Sequence, residues 1–374
     1  MAIRVIPVQT AREKAQFMSL PQKLHRYSAE WEKSKLSVDN TLFDTEHNPF
    51  LSESTIKRFM AISDGKIVGR IAGIVDQNYI NHCGKAVGLF AFFDSIDNTL
   101  VSTALFNTAS QWLRDHEMVK ISGPVYPSPH LLDGLLVEGF SYDPYHNAPW
   151  HPKYYANLFE ASGFQKAKDF QSWRISDEVM DNSDRLTDNN TAEKDSFNIE
   201  SYNIYNKKNS NPLPDNFWDE FNLLNSSHTG ERKLSHDELD YLRKLYRIQL
   251  SPCQVTIAKV SDKLVGIAII IPDLYDAHIL AARKIFPVGT VIFQWNRRKY
   301  RNARIAFLQV DKGHVGKGLK RKLVIAAIKN AISNDLKVTE ISYIKEDDVQ
   351  LNKLLKDSNY NKYKTFRIYQ RPLR

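Results

Sequence analysis

Two α/β domains in tandem, each a mixed, largely antiparallel sheet flanked by helices in an α+β order, are what this sequence predicts. Three observations point there. The chain has 374 residues, beyond the size at which a single core usually stops growing. A pattern occurs twice, first as Ser63-Asp64-Gly65-Lys66-Ile67-Val68-Gly69 and then as Ser261-Asp262-Lys263-Leu264-Val265-Gly266. The copies also end alike: Leu158-Phe159-Glu160-Ala161-Ser162-Gly163-Phe164 precedes Trp173-Arg174-Ile175, and Leu354-Leu355-Lys356-Asp357-Ser358-Asn359-Tyr360 precedes Phe366-Arg367-Ile368, at nearly the same offset. Finally, one order of elements serves both halves: strand, helices, hairpin, strand, loop, helix, strand, helix, strand. The domains are expected over 1–176 and 197–374, joined by an acidic linker, 177–196, that is almost devoid of apolar residues.

In the first half, Ile3 to Val8 reads as a strand, and a helical stretch from Thr10 loses its apolar residues at Pro21. A loop ends in Asn48-Pro49-Phe50. Phe59 to Ile62 and Ile67 to Val75 flank Asp64-Gly65, a turn dipeptide that tolerates positive φ, and predict a hairpin. Val87 to Phe93 is the next strand. After it Val101, Ala104, Leu105, Thr108 and Trp112 recur at helical spacing, and Val119 to Ser122 returns as a strand ended by Gly123-Pro124.

In the second half, Phe217 to Leu224 and Asp237 to Ile248 predict helices, the latter with Ser235 and Glu238 at capping-box spacing. Val255 to Val260 and Leu264 to Ile271 repeat the hairpin, and Ala303 to Val310 is a strand. Gly318 to Asn334 is a helix with Leu319, Leu323, Ala327 and Ala331 on one face, and Val338 to Ile344 is a further strand.

Apolar residues make up 42% and aromatic residues 11%, the composition of a globular chain rather than a disordered one. The longest apolar run, Leu264 to Pro272, is too short to span a bilayer, and Met1-Ala2-Ile3-Arg4-Val5 has no signal-peptide core, so a cytoplasmic protein is expected. Two cysteines, Cys83 and Cys253, lack metal-ligand spacing, and reduced thiols are expected. The net charge of +8 calls for an anionic partner without choosing among nucleic acid, phosphorylated cofactor and membrane. Its distribution is more telling, because Arg297, Arg298, Lys299, Arg301, Arg304, Lys312, Lys317, Lys320, Arg321 and Lys322 crowd around one glycine-bearing loop.

That loop, Asp311-Lys312-Gly313-His314-Val315-Gly316-Lys317-Gly318, stands between a strand and a helix. Successive main-chain N–H groups there can converge on one concavity, and the helix adds roughly half a positive charge, which suits a pyrophosphate. A tight turn is the other reading of G-x-x-G-x-G. A Walker loop is excluded, since Gly318 follows Lys317 where Ser or Thr is needed, and the dinucleotide G-x-G-x-x-G is absent. The matching place in the first half, Asp94-Ser95-Ile96-Asp97-Asn98-Thr99, has no glycine and two carboxylates, so phosphate binding is expected in the second half only.

A strand, then (Gln or Arg)-x-x-Gly-x-(Gly or Ala), then a helix resembles the signature of the GCN5-related N-acetyltransferase (GNAT) superfamily. Gly316 and Gly318 match it, and Gly313 stands where Gln or Arg is usual. The chain as a whole is similar to the bacterial YghO-like proteins, which have tandem acyltransferase folds. The similarity is carried by Asn48-Pro49-Phe50, Val68-Gly69-Arg70-Ile71-Ala72, Ser122-Gly123-Pro124, Tyr154-Tyr155, Glu346-Asp347 and Tyr363-Lys364-Thr365-Phe366-Arg367-Ile368-Tyr369. The third position of that family's Glu-Asp-Asn is Asp348 here.

The resemblance implies two GNAT-like domains, the second binding acyl-CoA or coenzyme A as co-substrate, without metal, through Val310, Gly313, His314, Val315, Gly316, Lys317, Gly318 and Leu319. It also implies transfer of the acyl group from coenzyme A or acyl carrier protein to an amine. Main-chain N–H groups near Val310 resemble those that polarise the thioester carbonyl in the superfamily. An alkylammonium costs roughly 4 to 5 kcal/mol to deprotonate at neutral pH, so a base is useful, and Glu346 and Asp347 are the candidates, with a solvated acidic loop end as the other reading. The superfamily's protonating tyrosine falls on Phe159 and Leu355, so Tyr360, Tyr363 or Tyr369 would have to substitute, with Tyr363 the first choice; each also reads as a packing residue.

Two further stretches carry expectations. Between Tyr126 and Tyr155, prolines alternate with Tyr142, Tyr145, His146, Trp150, His151 and Tyr154, which suits either the wall of an acceptor site or a stiff cover over the core. His146 and His151 have no Cys or carboxylate company that would make a metal site. The insert 274–300 sets Ile285, Phe286, Val291, Ile292, Phe293 and Trp295 ahead of a basic run, as a peripheral membrane or acyl-chain contact would, burial between domains being the alternative. No nucleic acid is expected, because no basic-aromatic surface recurs. A non-catalytic acyl-thioester or ligand-binding protein of the same fold is the second functional class.

Overall fold

The computed structural model describes residues 2–28, 47–126, 133–145, 148–175, 197–204, 213–229, 233–248, 253–274, 288–296, 299 and 301–373. The linker 177–196, His146 and most of the insert 274–300 lie outside them. The described chain divides into two compact units. One comprises Met1–Phe170 with Lys364–Arg374, and the other Gln171–Tyr363. The last eleven-odd residues, expected within the second domain, are thus part of the first.

The first unit contains β1 (Ile3–Pro7), α1 (Ala11–Leu24), β2 (Ser54–Ser63), β3 (Lys66–Asp76), α2 (Gln77–Cys83), β4 (Val87–Ser95) and α3 (Thr99–Asp115). After these come β5 (Lys120–Gly123), β6 (Leu135–Glu138), α4 (Tyr154–Ala161) and the first part of β7 (Gln165–Arg174). Strand neighbours run β1-β2-β3-β4-β5, antiparallel except for the parallel pair β4/β5. The sheet is completed by Lys364–Arg374, most of β13 (Asn361–Pro372). Tyr369 pairs with Gly123 of β5, and Phe366 with Leu136 of β6. Phe90, Phe93, Phe106, Phe159, Phe164 and Tyr369 form the aromatic centre of this unit's core. Arg367 locks the added strand by a two-pronged bond to Asp169, at 2.8 and 2.9 Å.

The second unit contains β8 (Asn198–Ile204), α5 (Phe217–Thr229), α6 (His236–Ile248), β9 (Cys253–Val260), β10 (Lys263–Pro272) and α7 (Val288–Asn296). β11 (Asn302–Val310), α8 (Leu319–Ser333), β12 (Lys337–Lys345) and α9 (Val349–Asp357) complete it. The order is β8-β9-β10-β11-β12, again antiparallel except for one parallel pair, β11/β12. The mixed, largely antiparallel architecture is the one expected. No helix among the described residues is long and apolar enough to cross a membrane.

Local chemistry explains the elements. Thr10 and Glu13 form a capping box on α1, and Ser235 and Glu238 form the expected one on α6. Both hairpin turns use left-handed residues, Asp64 and Gly65 in one, Ser261 and Asp262 in the other. The repeated Val-Gly pairs have one cause: a Cβ on Gly69 would lie 2.8 Å from Leu105 Cδ1 of α3, and on Gly266 2.7 Å from Leu323 Cδ1 of α8. Each glycine lets its helix settle on its sheet. Helix α1 runs past Pro21 to Leu24, one turn beyond the expected break. Pro21 has no N–H to offer the carbonyl of Phe17, and Arg70 Nη1 takes that oxygen at 2.7 Å.

A protein ending at Tyr363 lacks the strand that closes the first unit. Its first unfolding transition should be lost or broadened in calorimetry, while Arg367→Ala in the full chain should cost about 1.5–3 kcal/mol as a charge-assisted pair is broken.

Candidate functional site

In both units the strand that runs into the loop pairs with its parallel neighbour only at its start. β11 and β12 are in register from Asn302–Lys337 to Ile305–Ile341, and no further, although both strands continue. β4 and β5 are paired only from Val87–Lys120 to Leu89–Ser122. Each unit therefore has a gap beside the end of its central strand. The orientation of the main chain there is fixed by one hydrogen bond: Asp311 N–H donates to Val265 O at 2.8 Å, and Ile96 N–H to Val68 O at 3.0 Å. Val310 and Ser95, one residue earlier, must then turn their own N–H and C=O toward the gap.

The two gaps differ in what fills them. In the first unit, Tyr155 Oη accepts from Ser95 N–H at 3.1 Å and Tyr154 Oη donates to Ser95 O at 2.8 Å, so the strand's free edge is occupied by two phenols. In the second, no hydrogen bond beyond the strand ladder engages Val310 among the described residues.

The loops differ likewise. In the first unit three residues separate β4 from α3, and the side chain of Asn98 caps the helix by accepting from Leu100 N–H at 2.9 Å and Val101 N–H at 3.4 Å. In the second, a 3₁₀ turn at Lys312–His314 and the left-handed glycines Gly316 (φ 88°) and Gly318 (φ 71°) lead into α8, whose N-cap, Gly318, has no side chain to cap it. Gly313 N–H is taken by Asp311 Oδ2 at 3.0 Å, and His314, Val315 and Lys317 N–H close turns on Asp311, Lys312 and His314 carbonyls. The N–H groups of Gly316, Gly318, Leu319 and Lys320 have no acceptor among the described residues.

The sequence-predicted residues are placed as follows. Val310 and Leu319 are buried, so only their main chain is offered; Gly313, Val315, Gly316, Lys317 and Gly318 are exposed. His314 Nδ1 lies 3.3 Å from Asp311 Oδ2, and its ring meets Phe197 edge-on. Lys312 is exposed, while Lys320 is held by Asp348, which also caps α9 by accepting from Leu351 N–H. Asp348 is therefore a structural cap. Glu346 is half-buried and Asp347 exposed at the end of β12. The Tyr363 hydroxyl donates to Glu340, a carboxylate buried beside Arg304, whose Nη1 is 3.9 Å away and bonds Ser342 Oγ at 3.2 Å. Gln309, on the face of β11 covered by α5, donates to the Leu224 and Asn225 carbonyls and keeps an unpartnered, buried Oε1.

Sequence reasoning missed Glu340 and Gln309, and it counted Arg304 among the cations around the glycine loop, whereas Arg304 is buried beside Glu340. Their only signal was a polar side chain at an inward position of a β-branched strand. It also missed a polar cluster in the first unit. There Asp94 accepts from Arg70 Nε at 2.7 Å and from Tyr155 Oη at 3.1 Å, with His25 Nε2 3.2 Å away. Burial raises the Asp94 pKa, but Arg70 and His25 outweigh it and hold the carboxyl below its ordinary value. His151 is pushed down to about 4, mainly by burial, and its Nδ1 accepts from Leu136 N–H at 3.2 Å. Burial and the Asp94 charge raise Tyr155 well above its ordinary value and Tyr154 to about 12. Both phenols stay protonated as the donors they are.

This arrangement defines a tandem GCN5-related N-acetyltransferase fold. The chain superposes with a TM-score of 0.54 on a tandem GNAT protein from the clavulanic acid biosynthesis pathway, 12% identical, covering 100% of this chain and 99% of that one. A probable N-acyltransferase of Enterococcus faecalis V583 gives 0.50 at 11% identity, over 100% of this chain and 73% of that one. Relatives matched by sequence are more specific. The chain is 24% identical over 381 aligned positions to the bacterial ceramide synthase of Caulobacter vibrioides, spanning 99% of this chain and 98% of that protein. It is 23% identical to the protein YghO of Escherichia coli K12, over 96% of this chain and 92% of that protein. No protein-family profile matches.

The first unit should lose stability on acidification. Because His151 has a folded pKa of about 4 against an ordinary 6.5, its contribution is complete above 6.5 and is lost as pH falls toward 4. Asp94, also depressed, adds its loss below the ordinary carboxylate value. His151→Gln should flatten the pH dependence of the melting midpoint between pH 6.5 and 4, a window worth at most about 3 kcal/mol.

Proposed function

We propose that this protein is an N-acyltransferase that takes an acyl thioester of coenzyme A, or of an acyl carrier protein, at the loop Asp311–Gly318 and passes the acyl group to an amine. One observation carries the proposal: the N–H groups of Gly316, Gly318, Leu319 and Lys320, at the start of α8, have no acceptor among the described residues, and β12 leaves the Val310 edge of β11 unpaired. A diphosphate fits those donors, since they sit at a helix N-terminus, on glycines whose Cα atoms permit close approach, beside the exposed Lys312 and Lys317. Gly313 in place of Gln or Arg removes a side chain, and its N–H is already bonded to Asp311, so the pyrophosphate falls to the later amides.

The thioester supplies an activated carbonyl. Val310 N–H would donate to that oxygen as it gains negative charge. Glu346 and Asp347, at the end of the strand bordering the gap, would accept the proton that an alkylammonium must lose, directly or through water. Tyr363 is committed to Glu340, so protonation of the departing thiolate is left to water. A long-chain amine is favoured as acceptor because a full-length relative is named a ceramide synthase, a ceramide being the amide of a long-chain amino alcohol.

A second reading, an acyl-thioester-binding protein without catalysis, is favoured by the engagement of Tyr363 and Asp348. Thermal-shift titration with coenzyme A and acyl-coenzyme A of rising chain length should raise the melting midpoint, by about 2.7 kcal/mol of stabilisation at a hundredfold excess over Kd. Gly318→Val, which costs about 1–2 kcal/mol of backbone strain, should abolish that shift in a protein that still folds. Thiol release that appears only with an added amine identifies the enzyme; a shift with no release under any amine identifies the binding protein. A shift that survives Gly318→Val would remove the loop from the site.

A further inference from the structure

Helix α7 turns apolar side chains outward. Val288, Val291 and Trp295 are 52%, 61% and 71% exposed, and at 100° per residue they fall on a single narrow stripe. The helix reads VGTVIFQWN and has no charged residue, so the stripe is not the solvated face of an ordinary surface helix. Its inner side is accounted for, with Gly289 buried and Ile292 and Phe293 half-buried. What covers the outer side is indicated by charge. Between Asp276 and Asp311 the sequence contains no carboxylate, while Arg283, Lys284, Arg297, Arg298, Lys299 and Arg301 flank the helix on both sides. Lys299 is exposed, and among the described residues the Arg301 side chain reaches only the exposed Asp335, at 3.3 Å.

We infer that α7 docks this protein on an anionic lipid bilayer, with Trp295, Val291 and Val288 entering the interface and the exposed Lys299, just past the helix, meeting lipid phosphate. An exposed tryptophan on an uncharged helical stripe, bracketed by Arg and Lys, has the chemistry of an interfacial segment. The basic flanks choose an anionic surface over a zwitterionic one. A second copy of the chain is disfavoured as occupant, because like flanks would be brought together. α7 precedes β11 and the glycine loop follows it, so in the chain the two join opposite ends of a strand that spans roughly 26 Å. The inference does not depend on thioester binding, and each can fail alone.

The test is co-sedimentation of the full chain with vesicles of phosphatidylcholine alone and of phosphatidylcholine with phosphatidylglycerol in equal parts, in low and high salt. Binding to the anionic vesicles, weakened by salt, is expected, together with quenching of tryptophan fluorescence by brominated lipid that disappears in Trp295→Ser. Combining Val288→Ser, Val291→Ser and Trp295→Ser should lower the partition coefficient at least about tenfold, with an unchanged melting midpoint. Lys299→Glu, which leaves the stripe intact, should weaken binding to anionic vesicles only. Sedimentation with neither vesicle, or a triple variant that partitions like the parent, overturns the inference. So does a concentration-dependent dimer that the triple variant abolishes without any vesicle binding, which would assign the stripe to a second copy of the chain.

Discussion

The early end of the parallel pairing between β11 and β12 is the constraint on which the candidate site depends. Hydrogen bonds to β10 hold β11 through Val310, yet β12 accompanies it only to Ile305. Past that point β11 has one partnered edge and one free edge inside a folded unit, and unpaired main-chain groups there are costly unless something bonds them. In the first unit the cost is met by the chain itself, since Tyr154 and Tyr155 hydroxyls bond both groups of Ser95. In the second no described residue does so, and the helix that follows begins with donors that have no acceptor among the described residues. Two unsatisfied stretches on either side of one loop are what a ligand with a diphosphate and an amide-bearing arm would satisfy together.

The filled gap of the first unit is held by more than two phenols. Tyr155 also donates to Asp94, which Arg70 and His25 keep charged, and Arg70 in turn reaches the carbonyl that Pro21 leaves unbonded in α1. Taking a carboxylate out of water costs several kcal/mol, so this group persists only because each of its oxygens is bonded, by partners drawn from α1, β3 and α4. Charge-assisted bonds of this kind contribute roughly 1.5–3 kcal/mol each, so the network specifies how the three elements meet as well as closing the gap. Such a half is a finished structure rather than a decayed site.

Much of this was legible in the residues. The hairpins, the capping box on α6 and the paired Val-Gly steps are local or periodic, and they appear where the spacing predicts. The contrast between the loops was legible too, because 94–99 has two carboxylates and no glycine where 311–318 has three glycines. Other features depend on register or on distance along the chain. Where a parallel pair stops cannot be read from two β-branched runs. Asp94 meets His25 and Tyr155 across gaps of 69 and 61 residues, and neither partner is marked by spacing. Asp348 stood in a catalytic-looking triplet and serves as a helix cap paired with Lys320. A closing strand was expected from the repeated order of elements, but such a repeat carries no information about which sheet the strand joins.

That last strand has a consequence for how the protein is made. A ribosome delivers the first unit's other strands early and Lys364–Arg374 only after the second unit, so the nascent first unit waits, with the edges of β5 and β6 bare, through the synthesis of the entire second unit. Neither half is a module that gene fragmentation at the linker would liberate intact. Any duplication that gave rise to the chain has been sealed by this exchange, and the two halves are now inherited, translated and lost together.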